Sequence, residues 1–150
     1  MYQEYKRILV PIDGSDEAEK AFQKAVQAAL RNEGILDIAH VIDTRTMQTG
    51  DKYDTRYTTE LVEQAKQLLA DYEAFAKEHG VKEVYTHLEF GLPKQTIAHD
   101  LSESCGCELI MMGATGLSTL ERIVMGSVSA YVIRNAPCDV LIVRTDLENQ

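Results

Sequence analysis

Short apolar runs alternate with longer segments of helical periodicity along this chain, and this alternation constrains the fold more than any other feature. Apolar runs begin at Ile8 and Leu109, and a mostly apolar run begins at Ile35; each is followed by a stretch with helical spacing. Such runs are typical of parallel strands covered on both faces. The clearest helical stripe extends from Leu61 to Ala76. The pattern predicts an α/β fold with a mainly parallel sheet and helices on both faces.

Five strands and four helices are expected within one domain, 1–150. The predicted strands are 8–12, 35–42, 84–90, 109–112 and 140–143. The third strand alternates apolar and polar side chains, which indicates a position at an edge of the sheet. With strand order 3-2-1-4-5, the first and fourth strands flank the switch point at which open α/β sheets bind ligands. The polar segment 43–57 is predicted to be a loop.

The stretch after the fourth predicted strand gives the strongest functional signal. Gly113 and Gly116 follow the strand directly, and Gly126-Ser127-Val128-Ser129 comes after nine further residues and is predicted to open a helix. Serines suit the helix cap, and a helix start attracts anions through its unpaired N–H groups and dipole. The stretch therefore predicts a phosphate site built from backbone N–H groups and the two serine hydroxyls. The alternative is an ordinary loop before a capped helix.

The spacing Gly113-x-x-Gly116, nine residues, then Gly126-Ser127 resembles the ATP-binding signature of the universal stress protein family. The segment 10–15 is similar to that family's first strand and turn, and 135–143 to its last strand. The resemblance extends over almost the whole chain and is weakest at 43–57. It implies an adenine nucleotide alpha hydrolase-like fold that binds ATP, with Mg²⁺ accompanying the triphosphate.

The resemblance also implies which residues contact the nucleotide. Pro11, Asp13 and Val41 match positions that line the base and ribose pocket, although Asp13 could instead be a turn residue bonded to its own loop. The expected nucleotide-binding set is Pro11, Ile12, Asp13, Val41, Met112, Gly113, Gly116, Gly126, Ser127, Val128 and Ser129. Valine at Gly113 or Gly126 is expected to fill the phosphate approach without disturbing the fold.

The segment 117–125 connects the two halves of the predicted phosphate site and could close over a ligand as a flap. Arg122 in this segment could reach phosphate oxygens, or it could be a solvated charge beside Glu121. The sequence does not favour either role.

Catalytic and metal-binding patterns are sparse in this sequence. Neither G-x-x-x-x-G-K-[ST] nor G-x-G-x-x-G is present. The four histidines fall on unrelated predicted elements and are interpreted as surface or packing residues. Cys105 and Cys107 with a nearby histidine could suggest a metal, but we interpret the cysteines, including Cys138, as small buried residues and expect no metal ligands. The resemblance implies a nucleotide-responsive regulatory module in the stress response, with a slow ATPase as the alternative and a flavin carrier as a weaker one.

Charge and hydropathy limit the partners. The formal net charge is −9, which disfavours nucleic acid and anionic membranes. No apolar run approaches the roughly 20 residues of a membrane helix, and the first residues lack a signal-peptide hydrophobic region. The expected location is the cytoplasm.

The last predicted strand favours self-association. Val140, Leu141, Ile142 and Val143 are consecutive apolar residues on a predicted edge strand, and such an edge invites pairing with another chain. Pairing with a second copy across a two-fold axis would give a homodimer, as is common in proteins that resemble this one. The alternative is a monomer whose residues 145–150 fold over the edge.

Overall fold

A five-stranded parallel sheet forms the centre of the protein. The computed structural model describes residues 4–49, 52–53, 55–114 and 126–144. The strands are β1 (Arg7–Pro11), β2 (Ile35–Asp43), β3 (Glu83–Gly91), β4 (Leu109–Gly113) and β5 (Asp139–Val143). Their order is β3-β2-β1-β4-β5, and every pairing is parallel. The predicted order 3-2-1-4-5 is confirmed, including the edge position of β3.

Two helices cover each face of the sheet. Helices α1 (Asp16–Asn32) and α2 (Thr55–Glu78) pack on one face. Helix α3, which consists of Pro93–Gln95, the π-helical Thr96–Leu101 and Ser102–Cys105, packs on the other face with α4 (Ser127–Asn135). Among the described helices, none combines the length and apolar character that crossing a bilayer requires.

Strand alternation divides the core into two layers. Ile8 and Val10 of β1 face α1 and pack with Phe22, while Leu9 between them faces α3 and packs with Leu101. Each of these five side chains is at most 1% exposed. Full burial of such a side chain contributes about 1.5–3 kcal/mol, so both helical layers are needed to cover the sheet.

The two ends of α1 show how local sequence fixes the helix. Ser15 caps the start, because its hydroxyl accepts a hydrogen bond from the N–H of Ala18. At the other end Glu33 takes the left-handed conformation, with φ of 50°, and ends the helix. Gly34 has a different role, because a Cβ there would lie 2.9 Å from the carbonyl oxygen of Lys6.

The segment 43–57 contains more structure than the predicted loop. Thr44–Met47 forms a 3₁₀ turn, Gln48–Thr49 pairs antiparallel with Lys52–Tyr53, and α2 already begins at Thr55. The side chain of Met47 is buried and belongs to a small apolar cluster at this end of the sheet. A single apolar anchor in a polar stretch was too weak a signal to predict these elements.

Candidate functional site

A cleft opens at the carboxyl ends of β1, β2 and β4, where the sheet order reverses. Its empty space, including the part open to solvent, is about 690 Å³, within the usual range for small-molecule sites. The lining residues are Pro11, Ile12, Asp13, Ser15, Glu17, Ala18, Val41, Pro93, Ile97, Met112, Gly113, Val128 and Ser129. The cleft therefore combines strand ends with the first turns of α1, α3 and α4.

Most of the predicted site residues come together in this cleft. Those that line it are Pro11, Ile12, Asp13, Val41, Met112, Gly113, Val128 and Ser129. Gly126 and Ser127 stand at the start of α4, outside the lining set. Gly116 and the segment 117–125, with Arg122, lie outside the described residues.

Five lining residues were not predicted. Ser15, Glu17 and Ala18 lie at the start of α1, and Pro93 and Ile97 lie in the first turns of α3. In a parallel sheet each connecting helix begins near the carboxyl end of the strand before it. That rule was the available signal, and it would have added the residues directly after Asp13 and Leu92.

Asp13 is a turn residue that also lines the cleft. Its Oδ1 accepts hydrogen bonds from the N–H of Ser15 at 2.9 Å and from the Ser15 hydroxyl at 2.5 Å. The same hydroxyl caps α1. The carboxylate is thus held at the edge of the cleft by the start of the helix, and the residue is exposed to solvent.

The start of α4 differs from the prediction. The helix cap is Gly126, so the serines occupy the first and third helical positions and neither is the cap. Ser127 is exposed, whereas Ser129 is fully buried and its hydroxyl donates to the carbonyl oxygen of Gly113 at 3.0 Å. This hydroxyl joins β4 to α4. Because Gly126 has no side chain, it caps no N–H of the first turn.

Gly113 is required by packing against α1. A Cβ on Gly113 would lie 2.7 Å from the carbonyl oxygen of Glu17 and 2.9 Å from its Cβ. Real side chains do not tolerate such contacts, and the obstructing atoms include helix backbone. The expectation that valine at Gly113 would leave the fold intact is therefore wrong, and site variants must be placed elsewhere.

A second polar group of residues lies under α3, away from the cleft. We call Arg7, Asp37, His87 and Cys105 the Asp37 cluster. Asp37 is fully buried; it accepts from Arg7 Nε at 2.7 Å and is bonded to His87 Nε2 at 2.8 Å. His87 had been interpreted as an ordinary surface or packing residue. The local signal for the cluster was an aspartate inside the mostly apolar β2. His87 gave no such signal, because it lies on the face of β3 that also carries the exposed Tyr85 and Glu89.

The Asp37 cluster has shifted titration behaviour. Burial pushes the pKa of Asp37 upward, but hydrogen bonds from His87 and Arg7 outweigh it, and the pKa falls below its usual value. The hydrogen bond to Asp37, with a smaller effect of Cys105, raises the pKa of His87 to about 9. At neutral pH the cluster therefore contains a carboxylate between two cations.

Comparison with known proteins identifies the family. The model of the universal stress protein family matches residues 4–144. A Staphylococcus epidermidis protein that carries the universal stress protein name is 48% identical over 142 residues, which cover 95% of this chain and 86% of that relative. The structure of UspA from Lactobacillus plantarum is similar with a TM-score of 0.76 at 30% identity, over 95% of this chain and 100% of that one.

A universal stress protein from Archaeoglobus fulgidus, solved in complex with dAMP, is similar with a TM-score of 0.68 at 24% identity, over 93% of this chain and 98% of that one. At this identity the likeness concerns the fold. The family match across nearly the whole described chain, with the identity to the staphylococcal relative, shows that this protein belongs to the universal stress protein family.

Proposed function

We propose that this protein binds ATP with Mg²⁺ in the cleft and acts as a nucleotide-responsive binding module. The observation that supports this most is the placement of an uncapped helix start beside apolar strand ends at the switch point of the sheet. We also propose that 1–150 is one domain, because β1 pairs with both β2 and β4 and so joins the two halves of the chain.

The apolar side of the cleft suits a purine base. Val41, Ile97 and Met112 line it, and the backbone of Ile12 is occupied by hydrogen bonds to Ala39 and His40. A base held there would gain mainly from packing of its flat faces. The phosphates would then extend toward α4, where the first-turn N–H groups of Val128 and its neighbours have no intrahelical acceptor.

Mg²⁺ fits the oxygen groups at the other side of the cleft. Asp13 and Glu17 are among the lining residues, and their negative charges would repel a bare polyphosphate. Oxygen ligands, water and phosphate oxygens are the partners that Mg²⁺ prefers. The positive charge of Mg²⁺ would offset the repulsion between the acidic cleft and the phosphates. We therefore expect ATP to bind only when Mg²⁺ is present.

The decisive experiment changes one residue at the start of α4. Val128→Asp places a carboxylate where phosphate would lie, and an acidic residue suits a first helical turn. Because Val128 is half-buried and packs against the layer under α3, circular dichroism must first show that the variant is folded. We expect calorimetric titration to show MgATP affinity at least about tenfold weaker, because like charges at a binding site cost several kcal/mol. Val128→Thr has nearly the same shape without charge and should bind as the parent does. Equal affinity in all three proteins would contradict the proposal.

Parallel titrations with AMP and dAMP distinguish ATP from a monophosphate as the preferred ligand. The dAMP in the Archaeoglobus fulgidus structure motivates this comparison. If AMP and dAMP bind more tightly than MgATP, and Val128→Asp weakens their binding as much as it weakens that of MgATP, the cleft binds adenine nucleoside monophosphates in preference to ATP.

Slow or absent hydrolysis is part of the proposal. No histidine lines the described part of the cleft, and the Asp13 carboxylate is held by Ser15. We expect phosphate release well below the ordinary enzymatic range of about 1–10³ s⁻¹. A rate inside that range would favour the ATPase alternative.

We further propose that β5 pairs with β5 of a second copy. It pairs with β4 on one side, and no described strand pairs with its other side. Leu141 on β5 is 43% exposed and Ile133 on α4 is 45% exposed, so apolar surface adjoins the edge. Because α4 also borders the cleft, ATP could influence this surface through that helix.

The dimer test uses Leu141 and not Ile142. Ile142 is half-buried and packs against the core layer under α3, so a lysine there would disturb the fold. Leu141→Lys places the charge on the exposed side of the edge. Light scattering should show a dimer that becomes monomeric in this variant, with MgATP affinity retained. A monomeric parent at tens of micromolar, or a dimeric variant, would contradict this arrangement.

A further inference from the structure

Three donor atoms of different chemistry converge under α3, outside the cleft. His87 Nε2 lies 2.8 Å from Asp37 Oδ1 and 3.6 Å from Cys105 Sγ, and the three atoms all lie within 4.8 Å of one another. We propose that Asp37, His87 and Cys105 form a binding site for a divalent transition-metal ion of the zinc class. This site is separate from the oxygen groups proposed to accompany ATP.

The convergence differs from a catalytic relay. In a relay of the Cys-His-Asp type, the two acidic partners approach opposite nitrogens of the imidazole ring. Here Nε2 faces both the Asp37 carboxylate and the Cys105 thiol. The Asp37 oxygen and the Cys105 sulfur therefore lie on the same side of the imidazole ring as Nε2. The three donor atoms can then contact one metal ion placed between them.

The spacing of the donors is close to that of a tetrahedral site. Ligand bonds of about 2.0–2.3 Å to Zn²⁺ imply donor separations of roughly 3.3–3.8 Å. The Cys105–His87 separation of 3.6 Å already falls in this range, the Asp37–His87 separation of 2.8 Å must open, and the Asp37–Cys105 separation is at most 4.8 Å. Binding of the ion therefore requires the Asp37 and His87 side chains to move apart.

The backbone that carries the donors is rigid. Asp37 on β2 and His87 on β3 are near neighbours on paired strands, since the register joins Asp37 to Tyr85 and Ala39 to His87. Cys105 is at the end of α3 and is buried. Sites built on regular elements hold their geometry better than sites on loops.

Arg7 has a double effect on this site. Its Nε binds Asp37 Oδ2 at 2.7 Å, and its Nη2 approaches Oδ1 at 3.1 Å. The guanidinium orients the carboxylate, as outer partners of metal ligands commonly do. Its positive charge also weakens cation binding, so we expect lower affinity than at an all-thiolate structural zinc site.

The donor set defines the class of ion. A thiolate and an imidazole favour Zn²⁺ and Co²⁺ over Mg²⁺ and Ca²⁺, which require oxygen ligands. The side chain of His87 is 25% exposed, so water can reach the cluster and supply a fourth ligand. Binding requires the Cys105 thiol and the His87 imidazolium to release a proton each, so the ion should bind more tightly as the pH rises.

The test uses Co²⁺ as a spectroscopic probe of the full-length, reduced, metal-free protein without nucleotide. We expect one equivalent to produce a thiolate-to-cobalt charge-transfer band and the strong visible bands of tetrahedral Co²⁺, and Zn²⁺ to displace it. Cys105→Ser and His87→Gln should each weaken binding by at least about tenfold. Circular dichroism verifies that each variant is folded.

Matched controls come from the other two cysteines, whose sulfurs lie 3.7 Å apart and form a competing thiol pair. Cys107→Ser and Cys138→Ser should keep the cobalt spectrum. Absence of the charge-transfer band in the parent would overturn the proposal. So would a band that persists in Cys105→Ser and disappears in Cys107→Ser or Cys138→Ser, because the ion would then belong to the other pair.

Discussion

The cleft and the Asp37 cluster are both polar regions of one sheet, but they satisfy their polar groups in opposite ways. In the cleft, Asp13 is exposed and the start of α4 has a cap without a side chain. In the Asp37 cluster, Asp37 is fully buried and is bonded to both Arg7 and His87. The cleft therefore has polar groups that can still bind a ligand, whereas the polar groups of the Asp37 cluster are bonded to one another.

The difference follows from position along the strands. Polar groups at strand ends meet helix starts, whose N–H groups have no intrahelical acceptor, and solvent can fill the gap. Polar groups in the middle of a strand are covered by a helix and must find partners among side chains. Substitution of the exposed polar groups of the cleft should therefore change binding more than stability, while substitution in the Asp37 cluster should change stability.

Asp37→Ala should give the largest effect. Removing the carboxylate leaves Arg7 and His87 close together without their shared anion, and breaking a buried ion pair typically costs 3–5 kcal/mol. Since both cations are partly exposed, we expect a loss of about 3 kcal/mol in urea unfolding with chelator present. MgATP affinity of the folded variant should be unchanged. A loss below about 1 kcal/mol would contradict the contrast between the regions.

The pH dependence of stability is the next largest effect. The hydrogen bond to Asp37 raises the pKa of His87 from 6.5, the value expected in the unfolded chain, to about 9 in the folded protein. Protonated His87 therefore contributes fully to the free energy of unfolding below pH 6.5, and this contribution is lost as the pH rises through 9. After discounting for partial exposure, we expect a loss of about 2 kcal/mol over this window. Denaturant titrations across the window should show a flatter profile for His87→Gln. Identical profiles would mean that the ion pair adds nothing.

Ser129→Ala tests the connection between β4 and α4. The variant leaves the carbonyl of Gly113 without its hydroxyl donor, in a buried place, which costs about 1–2 kcal/mol. Unlike Asp37→Ala, it should also weaken MgATP binding, because the start of α4 is no longer fixed against the strand. Urea unfolding and calorimetry measure the two effects separately. Lost stability with full affinity would show that this bond serves the fold alone.

Asp13→Asn should have the smallest effect on stability. The amide oxygen can still accept from Ser15, and exposed substitutions usually change stability by less than about 0.5 kcal/mol. The Mg²⁺ dependence of ATP binding should nevertheless weaken, since one carboxylate is lost. Titrations at several magnesium concentrations test this expectation. A large loss of stability would show that Asp13, like Asp37, has a mainly structural role.

Local signals were sufficient for the sheet and for much of the cleft. Apolar runs and one alternating stretch predicted the five strands of the sheet, and the switch-point rule brought Asp13 and Gly113 to the same edge. The Asp37 cluster could not be predicted in this way, because its members are far apart in sequence and form no motif. Their proximity depends on strand register and on where α3 ends, which no local pattern specifies.

The fine details of close packing were also beyond the sequence. Gly113 was interpreted through its ligand, whereas its missing side chain admits the backbone of α1 at Glu17. The serines of α4 were interpreted as caps, and one of them is bonded to Gly113 instead. Both features depend on the distance between two packed elements, a quantity that appears only when the fold is complete.

The central position of β1 also has a consequence for how the chain acquires its structure. Ile8 is paired with Leu109, which is synthesised about a hundred residues later. One side of β1 therefore has no partner strand until β4 has been synthesised. Pairing over such a separation is slow, and an apolar strand with an open side is prone to aggregation meanwhile. We expect the β1–α1–β2 unit to form first during synthesis, and the waiting edge of β1 to be the point most exposed to misassembly.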